Sequence, residues 1–129
     1  EKMELTYCNC GHEPALLIRN GEIIELNRGG LVLGVLEDTK HEIDTIELWE
    51  DDFIVMYTDG LMDAVNFEGE LWGKDRMYEA IRKCINGSSD QLIHELLGYR
   101  RRFVGLTQQT DDTSVVAIKV GEKKNNFNT

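Results

Sequence analysis

Residues 53–65 read FIVMYTDGLMDAV, and the fold turns on them. The unbroken apolar run from Phe53 to Tyr57 predicts a central strand covered on both faces. It ends at Thr58-Asp59-Gly60, so Asp59 is a carboxylate delivered at the tip of a core strand. Asp63 follows one helical turn later, in a short helix predicted over 61–65. Downstream, Asp111-Asp112 stands immediately before a second, β-branched run from Thr113 to Val120. If the two strands are antiparallel neighbours, the end of one meets the start of the other. Asp59, Asp63, Asp111 and Asp112 then gather at one rim of the sheet. Carboxylates so gathered repel unless a cation compensates them, and an oxygen-rich site suits magnesium or manganese. Asp and Gly are also ordinary turn residues, so spacing alone keeps a plain turn at Asp59-Gly60 and a plain loop at Asp111-Asp112 as the alternative.

Working outward, the upstream chain reads as strands. Glu4 to Asn9 forms the first, and Ala15 to Ile18 the second, after a turn at Cys10-Gly11-His12-Glu13-Pro14. Asn20-Gly21 suits the two positive-φ positions of a tight hairpin and joins the second strand to Ile23–Leu26. Gly29, Gly30 and Gly34 punctuate Leu31, Val32, Leu33, Val35 and Leu36, which predicts a buried loop or a close backbone approach. Alternation from Glu42 to Leu48 marks a half-buried strand, and Glu50-Asp51-Asp52 the turn after it. Downstream come two helices. The first covers about 74–85, with Met77, Ile81, Cys84 and Ile85 on one stripe and Asn86-Gly87 as its left-handed terminator. The second covers 89–103, with a Ser88/Gln91 capping box and a buried face of Leu92, Ile93, Leu96, Leu97 and Phe103. Gly98 inside it predicts a packing requirement. Arg100, Arg101 and Arg102 suit the helix dipole and, with Arg76, read as solvated surface. Residues 121–129 read as a polar, frayed tail after a single domain over 1–120.

Composition narrows the function classes. With 41% hydrophobic and 29% charged residues among 129, the chain is an ordinary globular domain. The net charge of -10 argues against a nucleic-acid partner and against contact with an anionic membrane surface. No apolar run approaches the roughly 20 residues of a membrane span, and the first residues, EKMELTYCNC, lack the pattern of a signal peptide. Three cysteines make no disulfide framework, so a reducing cytoplasm is the expected setting.

Smaller signals have plainer readings. Cys8, Cys10 and His12 share a C-x-C-x-H pattern, but a fourth zinc ligand is wanting and hairpin packing is the better account. His12 reads as a loop residue shaping the rim, and His41 and His94 as spectators. The glycines at 29, 30 and 34 lack the lysine-serine ending of a phosphate loop.

The ordered segments IVMYTDGLMDA, NFEGELWG and TDDTSVVAIKV, with YCNCGHEPALLIRNG and GGLVLGV upstream, resemble the PPM/PP2C phosphatases. The likeness is to the bacterial sporulation stage II E and stress-response group, and covers nearly residues 5–120. It implies an α+β fold: part of an α-β-β-α sandwich, with a mostly antiparallel sheet and two consecutive helices. It implies metal ligation by Asp59 and Asp111, which also makes them the catalytic residues, with Gly60 and Asp63 assigned to the metal site and Asp112 and His12 as accessory residues. The implied cofactor is Mn2+ or Mg2+, two ions per complete domain. The implied reaction is hydrolysis of phosphoserine or phosphothreonine by a metal-activated water, on a phosphorylated regulatory protein such as an anti-sigma-factor antagonist. The sequence departs from the group in lacking the Gly-Asp motif whose aspartate bridges the two metals. Residues 1–120 are therefore expected to be the C-terminal portion of a phosphatase domain, with weak metal binding and little turnover alone. The alternative is a non-catalytic protein-binding or regulatory module with the same fold. Faces left open by a missing half predict association, as in a homo-dimer.

Overall fold

The computed structural model describes residues 2–109 and 111–122, so residues 123–129 of the expected tail lie outside the described residues. Six strands, β1 (Glu4–Tyr7), β2 (Ala15–Arg19), β3 (Glu22–Leu26), β4 (Asp44–Glu47), β5 (Phe53–Tyr57) and β6 (Val115–Lys119), accompany two helices, α1 (Gly73–Lys83) and α2 (Ser89–Val104). Four strands make one antiparallel sheet in the order β3-β2-β5-β6, and β1 with β4 makes a second. The apolar run at 53–57 is thus an inner strand, as its composition predicts.

Alternation of side chains sends the main sheet's residues to two cores. Leu16, Ile18, Phe53, Val55 and Tyr57 pack against Leu61, Met77, Ile81, Leu92 and Leu96 on the helical side. Leu17, Leu26 and Ile54 point the other way, under Leu5, Tyr7, Ile46 and Leu48 of the two-stranded sheet. The layers are helices, sheet, sheet: three of the four in the expected sandwich. Met56 breaks the two-sided burial of β5, at 38% exposed.

Local chemistry explains most boundaries. Asn20 and Gly21 have φ of 51° and 81°, both positive, as the β2–β3 hairpin demands. Ser88 and Gln91 form the capping box that opens α2. Asp52, 1% exposed, is no mere turn residue. Its carboxylate takes two bonds from Arg19, at 2.9 and 2.5 Å, and one from the Trp49 amide at 2.8 Å. Arg19 also lies over the Trp49 ring. This buried pair clamps the end of β2 to the β4–β5 turn.

Several expectations fail for identifiable reasons. The helix predicted over 61–65 is a 3-10 turn, Asp59–Leu61. The carbonyls of Met62 and Ala64 accept from Gly73 and Trp72, so they cannot continue a helix. Neither Asn86 nor Gly87 has positive φ among the described residues, and α1 closes through the Cys84 amide on the Ile81 carbonyl. Gly87 instead makes room for the capping Gln91, whose Oε1 would lie 2.2 Å from a Cβ there. Gly98 has no packing requirement, since only Arg102 Nη1, at 3.6 Å, would meet a Cβ. The glycine segment makes the expected close approach at Gly29, where a Cβ would lie 1.7 Å from the Asn9 carbonyl oxygen. It is not buried, however: Leu31, Val32, Leu33, Val35 and Leu36 are all exposed.

Candidate metal centre

The β5–β6 pairing builds the site. Its register ends with Tyr57 opposite Val115, and the next residues extend it. The Thr58 amide donates to the Ser114 carbonyl at 3.0 Å, and the Ser114 amide to Thr58 Oγ1 at 3.0 Å. Beyond that rung the two chains carry Asp59-Gly60 and Asp111-Asp112 past each other at very close range. A Cβ on Gly60 would lie 2.1 Å from the Asp112 carbonyl oxygen and 3.5 Å from Asp111 Cγ. Only a glycine lets the turn and the loop approach so nearly.

Each carboxylate is fixed by the amide that follows it. Asp59 Oδ1 accepts from Gly60 at 3.0 Å, and Asp111 Oδ1 from Asp112 at 2.8 Å. Both side chains belong to exposed residues, and neither has a lysine, arginine or histidine partner among the described residues. Two oriented carboxylates not engaged in ion pairs fit a hard divalent cation, whose remaining positions waters or other groups would fill. The donor set is partial. No group of three or more His, Cys, Asp or Glu able to hold a metal occurs among the described residues.

The other predicted residues divide. Asp112 lies at the site, but it is its carbonyl that packs on Gly60. The Asp63 amide closes the turn on the Asp59 carbonyl at 3.0 Å, and its exposed side chain makes no hydrogen bond or ion pair among the described residues. The Gly60 carbonyl, assigned to the metal site from the sequence, accepts from Arg100 Nη2 at 3.1 Å. His12 lies in the loop before β2, the strand that pairs with β5, and that loop is organised by Asn9. Asn9 Oδ1 accepts the Gly11 and His12 amides, and Asn9 Nδ2 donates to the His12 carbonyl at 2.9 Å. Cys8 and Cys10 bring their sulfurs to 3.8 Å there, and all three cysteines are free.

Arg100 is the residue that sequence reading assigned to solvated surface and the structure does not. Its Nε also donates to the Leu61 carbonyl at 3.3 Å, and burial lowers its pKa from the ordinary guanidinium value. A signal existed. Leu92, Leu96 and position 100 fall at i, i+4 and i+8, so a basic residue stands on the apolar stripe of α2.

The fold and this rim define a PPM/PP2C-type phosphatase architecture. The chain belongs to the Stage II sporulation protein E (SpoIIE) family, whose model matches residues 1–121. Among curated relatives, protein IcfG of Synechocystis sp. is 28% identical over 119 residues, covering 88% of this chain and 18% of IcfG. The phosphoserine phosphatase RsbU of Bacillus subtilis is 26% identical over 98 residues, covering 74% of this chain and 29% of RsbU. The solved PP2C phosphatase domain of SpoIIE from Bacillus subtilis, with a fragment of its regulatory domain, superposes with a TM-score of 0.70 at 17% identity. That match covers 92% of this chain and 34% of the solved one. The chain thus spans less than a third of either curated relative.

Proposed function

We propose that this chain supplies the Asp59 and Asp111 half of the metal centre of a protein serine/threonine phosphatase. The observation that carries the reading is the pair of carboxylates flanking Gly60, neither with an ion-pair partner among the described residues. Asp59 and Asp111 would hold Mn2+ or Mg2+. Bound there, the ion would lower the pKa of a water and neutralise phosphoryl oxygens. The chain's own part is geometric. The Gly60 and Asp112 amides orient the two carboxylates, and the Thr58–Ser114 rung fixes the distance between the strands that bear them. Asp63 is proposed to hold a metal-bound water or an accessory ion, and Asp112 to orient Asp111 through its amide. The substrate class is a phosphorylated regulatory protein of the anti-sigma-factor-antagonist kind, in a reducing cytoplasm. The name of RsbU, phosphoserine phosphatase, supports the phosphoserine part of this reading. No helix of the described residues is long and apolar enough to cross a membrane. The exposed apolar segment from Leu31 to Leu36 is proposed as an association surface in a homo-dimer, which sedimentation of the chain across a concentration series tests.

Among the described residues no third ligating side chain joins the pair, which favours a second reading, in which the chain is a non-catalytic binding module. One experiment separates the two. The full-length protein is assayed for Mn2+-dependent hydrolysis of a phosphoserine peptide, alongside Asp59→Asn and Asp111→Asn. Each substitution is expected to cost at least about 100-fold, more than loss of an outer-shell partner costs. Activity that survives both substitutions sinks the assignment, and absence of activity in the unsubstituted protein selects the binding module.

A further inference from the structure

We propose that Arg100 is a positioning residue for the carboxylate pair, clamping the Asp59–Leu61 turn onto α2 so that Asp59 is presented beside Asp111. The inference rests on the metal reading above and adds to it a residue that touches neither carboxylate. Arg100 reaches across 39 and 40 positions of sequence to bond the Leu61 and Gly60 carbonyls. No other hydrogen bond to either carbonyl is present among the described residues. Both turn residues are buried, and a buried carbonyl without a donor is costly. Arg100 itself has no acidic partner among the described residues. Its guanidinium, partly withdrawn from water, spends its donors on two neutral carbonyls of one turn. A residue that only complemented the helix dipole would face the last carbonyls of its own helix or solvent.

The fork geometry suits this task. A guanidinium presents donors at fixed separation, so holding two successive carbonyls sets the orientation of the peptide groups between them. Those peptides follow directly from Asp59, and the Gly60 amide is the one that fixes Asp59 Oδ1. A turn free to rotate would carry Asp59 away from the Asp111 loop, against which Gly60 is packed.

Charge and position predict opposite signs. A cationic side chain near a cation site weakens metal binding through Coulomb repulsion, so removing Arg100 by charge alone would tighten it. Removing a clamp that presents Asp59 would loosen it. The test compares the chain with Arg100→Ala, Arg100→Lys and the charge-matched control Arg101→Ala. Amide hydrogen exchange is followed at Leu61, Met62 and Asp63, and Mn2+ affinity is measured by calorimetry. Arg100→Ala is expected to speed exchange in the turn by about 10-fold or more, while the core amides of β5 keep their protection. Its Mn2+ affinity is expected to fall by about 10-fold, in the range for lost outer-shell support. Arg100→Lys, which keeps the charge but not the fork, is expected to fall between, and Arg101→Ala to match the unsubstituted chain. The lysine variant also carries the test if the alanine variant does not fold. Unchanged exchange in the turn overturns the clamp. Faster exchange with equal or tighter Mn2+ binding overturns its service to the carboxylates. Absence of any Mn2+ binding by the unsubstituted chain refutes the metal reading instead, leaving exchange to judge the clamp.

Discussion

Replacing Gly60 with alanine adds one methyl group where the chain has no room for it. The new Cβ would sit 2.1 Å from the Asp112 carbonyl oxygen and 3.0 Å from its carbonyl carbon. Both obstacles are backbone atoms, so no rotamer change relieves the overlap. Restoring ordinary contact needs a displacement of about 1 Å between the Asp59–Leu61 turn and the Asp111–Asp112 loop. The turn is held by Arg100 and the loop by the Thr58–Ser114 rung, so neither moves freely. Overpacking of this kind costs about 1–3 kcal/mol. At about 2 kcal/mol, a domain of this size loses roughly 6–10 °C in melting temperature. Whatever shift relieves the clash also separates the two carboxylates, so Mn2+ affinity falls together with Tm. Gly121→Ala is the control, because nothing lies within 4 Å of a Cβ there. Thermal melts by circular dichroism and Mn2+ calorimetry read both effects. A Gly60→Ala chain that melts within about 1 °C of the parent and binds Mn2+ equally refutes the close approach on which the site depends.

Three further perturbations probe the scaffold. Asp52→Ala strands the Arg19 guanidinium and frees the Trp49 amide. It should cost about 3 kcal/mol, the low end for a broken buried pair because Arg19 keeps some exposure, read from urea denaturation. Glu25 is held below the ordinary carboxylate pKa by the ammonium of Lys74 and then by the Tyr78 hydroxyl, which donates at 2.6 Å. Its contribution is therefore present above the ordinary value of 4.5 and lost as pH falls through the lower folded value. Glu25→Gln should flatten the acid limb of a stability-versus-pH curve by about 1 kcal/mol, most of the pair being partly solvated. Cys84 is buried, and desolvation first, then Glu95, raises its thiol pKa to about 11. Iodoacetamide at pH 8, with peptide mass mapping, should therefore modify exposed Cys8 well before Cys84.

Most of the scaffold was legible because its signals are local. The run at 53–57 fits an inner strand, and Asn20-Gly21 suits a tight hairpin turn. Ser88 and Gln91 meet within a single helical turn. The juxtaposition of Asp59 and Asp111 was legible at one remove: both acidic motifs lie at strand ends, and antiparallel pairing of those strands brings them together. What sequence could not show depends on separation along the chain. Asp52 looks like a turn residue until Arg19, 33 positions earlier, arrives to pair with it. Arg100 looks like a dipole partner until the turn at Gly60 is folded beneath it. The helix expected over 61–65 failed for the same reason, since Trp72 and Gly73 claim its carbonyls from beyond a loop. Asp63 was one turn from Asp59, yet the described residues form no third-ligand cluster around it.

The metal centre proposed for this chain has Asp59 and Asp111 holding one divalent cation between them across Gly60. Substoichiometric Mn2+ added to the 15N-labelled chain locates such an ion directly, because a paramagnetic ion broadens amide signals near it. The Asp59, Gly60, Asp111 and Asp112 signals are expected to be lost selectively, and either Asp59→Asn or Asp111→Asn to abolish that loss. Broadening centred on the other acidic surfaces, or broadening that survives either substitution, refutes that placement.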